Sequence, residues 1–299
     1  MRVLITGGRG FIGAWTARAL LDGAHDVRIF DVHDERTTFD ALVGRERIAG
    51  DHIEHVHGDI TEPRDVDDAV EGCDAVVHLA AVLIPTARKD PLLGARVNVL
   101  GTLHVFEAAK KYGVRNIAYA SSAAVFGPHD GIHPEPRTLY GAYKLCNEGC
   151  ARAYFDDAGI RSIGLRPSTV YGPGREIGVT ADPTLAMRAA AEGRSYTIRF
   201  TGATGMDYAR DVGTIFARAA TETPDRAHAF SLQGQLATMD DVLAAIHTVV
   251  PDADVHAEGA ELMFAAQLDE EPLHALLPNL QRTPLLEGTR ATIEFYRRN

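Results

Sequence analysis

A chain of 299 residues with 45% hydrophobic and 24% charged positions has the make-up of a folded globular protein, long enough for one large core or for a core plus a smaller unit. Its net charge of −11, with no basic stripe to offset it, repels polyphosphate backbones and speaks against a nucleic-acid partner. No apolar run approaches the roughly 20 residues of a membrane helix. The three cysteines cannot all pair with one another, and the first strand begins at Arg2 without room for a signal peptide. The expectation is a cytoplasmic protein with reduced thiols.

The apolar run Val3-Leu4-Ile5-Thr6 feeds into Gly7, Gly8, Gly10 and Gly13 and then into the periodic segment Phe11 to Leu21, which reads as strand, tight turn and helix. Such a turn cradles a phosphate. Gly7 and Gly10 let the backbone approach a pyrophosphate, Gly13 lets helix and strand pack closely, and the helix start at Phe11 and Ile12 supplies N–H groups and positive dipole. A second strand, Asp26 to Asp31, ends in a carboxylate about twenty residues downstream, placed for the adenosine ribose hydroxyls. The cofactor is therefore read as NAD rather than NADP, with Arg36 the nearby cation able to meet a phosphate.

A polar stretch follows to about Asp51, then a third strand, His52 to His57, and a short amphipathic helix over 64–72. Ala75 to Ala81 is a fourth strand, too apolar for exposure on either face, which marks a parallel sheet. A long helix, Leu92 to Tyr112, leads to a fifth strand, Asn116 to Ala120; a helix from Tyr140 to Asp157 leads to a sixth, Ser162 to Pro167. This alternation implies a doubly wound α/β sheet of Rossmann type with right-handed crossovers. Residues 1–170 form its NAD-binding part. Residues 171–299 are expected to form a smaller, interleaved substrate-binding part over the C-terminal strand edge, with helices Pro183 to Glu192, Asp211 to Thr221, Met239 to Val249 and Leu285 to Arg298 and short strands Tyr196 to Thr201 and Ala229 to Leu232. Cys146 and Cys150 on one helical face, and His52, His55 and His57, read as packing and strand residues, and no metal is expected.

Tyr140 and Lys144 stand four apart, stacked on one helical face. Lowering a tyrosine pKa from about 10 by roughly 3 units takes about 4 kcal/mol of preferential phenolate stabilisation, and a lysine ammonium nearby supplies part of it. Ser121 and Ser122 lie just past the fifth strand, on the sheet edge that carries the glycine turn. A hydroxyl there holds a substrate oxygen beside Tyr140.

Gly7-x-x-Gly10-x-x-Gly13, Asp59-Ile60, His78-Leu79-Ala80-Ala81, Asn98-Val99-x-Gly101-Thr102, Ser121-Ser122-Ala123-x-Val125-Phe126-Gly127, Tyr140-x-x-x-Lys144 and Leu165-Arg166-Pro167-x-x-Val170-Tyr171-Gly172-Pro173-Gly174 together resemble the extended short-chain dehydrogenase/reductases, the NAD-dependent epimerase/dehydratase family. The resemblance covers about residues 1–175. It implies Tyr140 as general base or acid, Lys144 on the nicotinamide ribose and the tyrosine pKa, and Ser122 polarising the reacting oxygen. Asp59 and Ile60 would lie by the adenine, Leu79, Ala80, Ala81, Ala120 and Pro167 along the cofactor, and Asn98 at a helix bend that shapes the site.

Departures from the family pattern narrow the reaction. Where the sugar dehydratases carry Asp-Glu after the catalytic hydroxyl residue, this chain has Ala123 and Ala124, so a dehydratase is not expected. Where the nucleotide-sugar epimerases carry Arg-Asp-Tyr, it has Met206-Asp207-Tyr208, which removes the arginine that meets the diphosphate unless Arg210 substitutes for it. A dehydrogenase acting on a small sugar, sugar acid or hydroxy acid is the reading, with Arg175 to hold a carboxylate. A nucleotide-sugar 4-epimerase is the alternative, and a non-catalytic NAD sensor fits the intact Ser122, Tyr140 and Lys144 less well. Apolar residues beyond one stripe on the two long helices (Val97, Leu100, Leu103, Val105 and Phe106; Tyr143, Cys146, Cys150 and Tyr154) further predict a homodimer.

Overall fold

The computed structural model describes residues 1–222 and 224–298. Strands β1 (Arg2–Thr6), β2 (Asp26–Asp31), β3 (Ile53–His57), β4 (Ala75–His78), β5 (Asn116–Ala120) and β6 (Arg161–Arg166) join the strand Ala227–Ser231 in one seven-stranded parallel sheet. Across the sheet the order runs Ala227–Ser231, β6, β5, β4, β1, β2, β3. The chain crosses over between β3 and β4, so the C-terminal end of β1 faces a crevice between its two neighbours, where open α/β sheets bind ligands.

Side-chain alternation along the buried strands fixes the layers. Val3 and Ile5 pack on one face with Ala14, Trp15 and Leu20 of helix α1 (Phe11–Asp22) and with Val212, Ile215 and Phe216 of the helix Ala209–Thr221. Leu4 packs on the other face with Val66, Val105, Phe106 and Ala151, from the helices Pro63–Val70, Gly101–Tyr112 and Leu139–Ala158. A second, smaller core gathers Tyr171, Met187, Phe200, Met206, Tyr208 and Ile246 around a three-stranded sheet of Thr169–Tyr171, Ala203–Tyr208 and Gln235–Thr238.

The structure departs from the sequence expectations at four places. The strand near Ala229 lies beside β6 in the main sheet instead of over its edge, because its register with Ser162 to Arg166 extends the parallel ladder. The long helix before β5 is broken into Pro91–Ala95, a π-helical turn Arg96–Leu100 and Gly101–Tyr112, with Asn98 at the bend. β4 stops at His78, so that Leu79, Ala80 and Ala81 curve off the sheet. The polar stretch after Asp31 holds the short helix Thr37–Val43, whose Phe39, Leu42 and Val43 are buried.

Gly13 sits where α1 presses on the turn before it. A Cβ there would lie 2.6 Å from the carbonyl oxygens of both Gly7 and Gly8. Gly13→Ala is expected to lower the unfolding free energy by about 1–3 kcal/mol in a urea titration. Gly149→Ala, whose new methyl would meet nothing nearer than Arg152 Nη2 at 3.9 Å, should be neutral or stabilising.

Candidate active site

The crevice begins as a cradle. Gly7 adopts φ +64°, and a Cβ on it would stand 2.8 Å from the Ala80 amide nitrogen. Gly10 caps α1 without a side chain to occupy the first-turn N–H groups, and that turn holds no acidic residue. The helix thus turns its positive end, with free donors, into a space that any side chain at Gly7 or Gly13 would close. These residues fit a dinucleotide pyrophosphate. The carboxylate of Asp31 is oriented beside them, with Oδ2 accepting from the Arg9 amide at 3.0 Å and Oδ1 from the His33 amide at 3.0 Å.

From the cradle, one cleft of about 270 Å³ runs past Phe11, Ile12, Leu79 and Ala81 to Ala120, Ser121, Ser122, Tyr140, Lys144, Pro167 and Arg175. Ala80, Asp59, Ile60 and Asn98 stand outside that wall. Ala80 closes on Gly7, Asp59 holds the turn after β3 through Thr61, Ile60 packs under Gly101, and Asn98 pins the backbone of Val82 through both amide atoms at 2.9 Å.

At the far end of the cleft Tyr140 and Ser122 line the same wall, and the Ser122 Oγ accepts from the Ala124 amide at 3.1 Å. Burial raises the phenol above its ordinary pKa, while the charge of Arg175 and the Ser122 hydroxyl act in the other direction. Lys144 Nζ lies 5.6 Å from the centre of the Tyr140 ring, and burial pushes its ammonium down to about 8. Arg175 stacks over Phe11 at 5.6 Å and donates to Thr180 at 3.4 Å; its Nε is buried with no protein partner among the described residues.

A buried chain of hydrogen bonds backs this end of the site. Thr102 Oγ1 donates to the Asn98 carbonyl at 2.9 Å, so it accepts from His78 Nε2 and Asn147 Nδ2, each at 3.0 Å. His78 therefore carries its proton on Nε2, and its Nδ1 accepts from Thr6 Oγ1 at 2.7 Å. Burial, with the charge of Lys144, pushes His78 down to about 3 and keeps it neutral.

Several expectations are corrected by these contacts. Ser121 touches the cleft, but its hydroxyl donates to Glu148 at 2.6 Å and is turned away from a substrate, because the buried Glu148 carboxylate needs that donor alongside Arg166 Nε and Nη2. Arg210 does not line the cleft; it lies over Tyr208 and reaches Thr283 at 3.2 Å. Arg36 pairs with Asp40. His52 and His57 turn to Asp26 and Asp34, whereas His55 packs edge-on against Phe39. Asp207 sits behind the wall, accepting from the Ser168 amide at 3.0 Å, and burial pushes it up to about 7. Sequence reasoning missed Leu83, Ile84, Ile177, Val179 and Phe264, which complete the wall. Phe264 comes from an irregular segment with no periodicity to announce it.

A glycine cradle at the switch point of a seven-stranded parallel sheet defines the class: a doubly wound dinucleotide-binding protein. Within that class the chain belongs to the NAD dependent epimerase/dehydratase family, whose model matches residues 3–232. It is 31% identical over 172 residues to uronate dehydrogenase of Pseudomonas syringae pv. tomato, covering 55% of this chain and 58% of that protein. It is 29% identical over 215 residues to 2-alkyl-3-oxoalkanoate reductase of Stenotrophomonas maltophilia, covering 68% and 58%. The chain spans 51–59% of the length of the curated relatives it matches. In fold it is similar to UDP-glucose 4-epimerase of Thermus thermophilus in complex with NAD, with a TM-score of 0.84, 24% identity and 99% of each chain covered. NAD is the family's cofactor.

The Glu148 ion pair is the buried electrostatic anchor of the wall. Glu148 is 1% exposed and meets Arg166 Nη2 at 2.6 Å. Glu148→Ala leaves that guanidinium and Ser121 without their acceptor, and a loss of about 3–5 kcal/mol in unfolding free energy is expected by chemical denaturation.

Proposed function

We propose that this protein is an NAD-dependent dehydrogenase that oxidises a hydroxyl of a small sugar, sugar acid or hydroxy acid. The observation that carries the reading is the gathering of Ser122, Tyr140 and the buried Lys144 at the end of the cleft that the glycine turn opens. Gly7, Gly10, Gly13 and the first N–H groups of α1, at Phe11 and Ile12, would hold the pyrophosphate, and Asp31 the adenosine ribose. Asp59 and Ile60 would lie by the adenine, Leu79, Ala80, Ala81, Ala120 and Pro167 would flank the cofactor, and Asn98 would hold the helix bend in shape. Lys144 would meet the nicotinamide ribose. Bound NAD supplies the acceptor for a hydride.

Tyr140 takes the hydroxyl proton while the hydrogen on the same carbon departs as hydride, and Ser122 donates to the oxygen as it becomes a carbonyl. The positive charges of Lys144 and Arg175 favour the phenolate against the burial that opposes it. Ala123 and Ala124 supply neither the acid nor the base that loss of water requires, which argues against a dehydratase. Met206 in place of an arginine and the outward Arg210 support a substrate without a nucleotide. Arg175 is the group that would hold a substrate carboxylate.

The homodimer remains part of this reading, on a narrower face than the sequence suggests. Val105 and Phe106 are wholly buried in the sheet core, and Tyr143 donates to the Pro91 carbonyl at 2.9 Å. What the two long helices leave outside is Leu92, Leu100, Leu139 and Cys146. A dimer mass is expected by light scattering at micromolar concentration; a monomer mass would remove that part of the proposal.

With a substrate in hand, NADH should accumulate in proportion to product. Tyr140→Phe should keep NAD binding and lower turnover by about 10²- to 10⁴-fold. Tyr143→Phe, three positions away and occupied with Pro91, should keep most of the rate. Conversion of a substrate to its epimer with no net NADH would replace the dehydrogenase by an epimerase.

A further inference from the structure

The substrate half of the cleft is unlike a sugar site. Among the described residues its wall contains no Asp, Glu, Asn, Gln or His, the side chains that give the paired donors and acceptors a row of hydroxyls needs. Its remaining hydroxyls are drawn to other groups: Ser121 donates to Glu148, Ser168 pairs with Thr204 at 3.2 Å, and Thr180 accepts from Arg175. Beyond Ser122 and Tyr140, apolar side chains line the space: Leu83, Ile84, Val170, Ile177, Val179 and Phe264. Ile177 and Val179 stand at the rim with 72% and 45% of their surface in solvent. An exposed isoleucine beside a valine on a loop that also bears Arg175 is surface awaiting cover.

The cation in this apolar setting is Arg175. Phe11 and Thr180 fix its guanidinium, its Nε has no protein partner among the described residues, and its charge acts on the Tyr140 phenol. Arg175, Ser122 and Tyr140 line one cleft, so a single small molecule can set a carboxylate on Arg175 and a hydroxyl between Ser122 and Tyr140. The rest of that molecule meets mainly hydrocarbon.

We infer that the substrate is a 2- or 3-hydroxy acid carrying an apolar chain, with its carboxylate on Arg175 and its chain under Ile177, Val179 and Phe264, and that a polyhydroxylated acid is excluded. The inference rests on the dehydrogenase reading and narrows it. In the oxidation, the carbinol O–H bond breaks with its proton going to Tyr140, and the C–H bond breaks with its electron pair going to NAD. A 2- or 3-oxo acid and NADH remain. Discrimination follows from the unequal cost of the two mismatches: hydroxyls buried against hydrocarbon lose their water without replacement, whereas each buried methylene gains about three- to fourfold in affinity.

The test compares 2-hydroxyhexanoate and 3-hydroxyhexanoate with gluconate, which shares their carbon count and carboxylate and differs in its hydroxyls. Binding to the NAD-saturated protein is measured by calorimetry, separately from NADH formation. At least one hydroxyhexanoate should bind tenfold or more tighter than gluconate, and within its series affinity should rise with chain length from four to six carbons. Ile177→Ser, a change at an exposed loop position that leaves the fold intact, should reduce the preference severalfold. Equal binding, tighter binding of gluconate, binding of none of the three, or a preference that Ile177→Ser leaves untouched overturns the inference. Oxidation of gluconate in preference to the hydroxyhexanoates would leave the dehydrogenase standing without this substrate class. Tight hydroxyhexanoate binding with no NADH would leave the apolar acid site standing and remove the dehydrogenase.

Discussion

The hydrogen-bonded chain from Thr6 through His78 and Thr102 to Asn98 and Asn147 is the constraint on which the Tyr140 end of the cleft depends. It joins the last residue of β1, the last residue of β4, the π-helical turn and the helix that bears Tyr140 and Lys144. β1 and β4 are neighbouring strands of the sheet, and the other two are parts of the crossovers that follow β4 and β5. Their relative positions are set by a few buried polar atoms that meet one another directly. A neutral imidazole suits the junction because it donates at one nitrogen and accepts at the other, and burial beside an ammonium keeps it neutral. A charged imidazole would set a second donor, on Nδ1, against the Thr6 hydroxyl that donates to that nitrogen in the neutral junction.

The same economy holds further along the wall. Glu148 is buried, yet both its oxygens are met by Arg166 and one also by Ser121, so the carboxylate stabilises the join between β5, β6 and the helix Leu139–Ala158. Two adjacent serines therefore take opposite duties: Ser121 is drawn inward by an acid, and Ser122 stays free to face Tyr140. The alternation of side chains at the end of a strand suffices to send neighbouring hydroxyls to different partners.

Much of this was legible in the sequence where local chemistry is strong. The glycine turn, the strands β1, β2 and β5, and the helices Met239–Val249 and Leu285–Arg298 follow from periodicity and glycine placement, and the Tyr140–Lys144 spacing is a property of any helix. What was not legible depends on distant partners. The π-helical turn arises because Asn98 reaches back to Val82, a contact that no window of neighbouring residues contains. The strand Ala227–Ser231 carries no mark of which sheet it joins; β6 and the helix Ala209–Thr221 decide that. Phe264 reaches the cleft from a stretch held by Gln233, whose side chain meets the backbone of Ala266 and Leu268, so its place is set by a residue some thirty positions earlier.

The turn before Arg175 is held from two sides. Trp15 of α1 donates to the Pro173 carbonyl at 3.1 Å, and the Gly174 amide donates to the hydroxyl of Tyr296 on the helix Leu285–Arg298. One anchor can form as soon as the turn itself leaves the ribosome, and the other only after Tyr296 has followed it. A nascent chain can thus seat the turn before Arg175 on α1 while its second anchor is still unmade. The turn is secured late, by a segment far in sequence from the glycine cradle beside it.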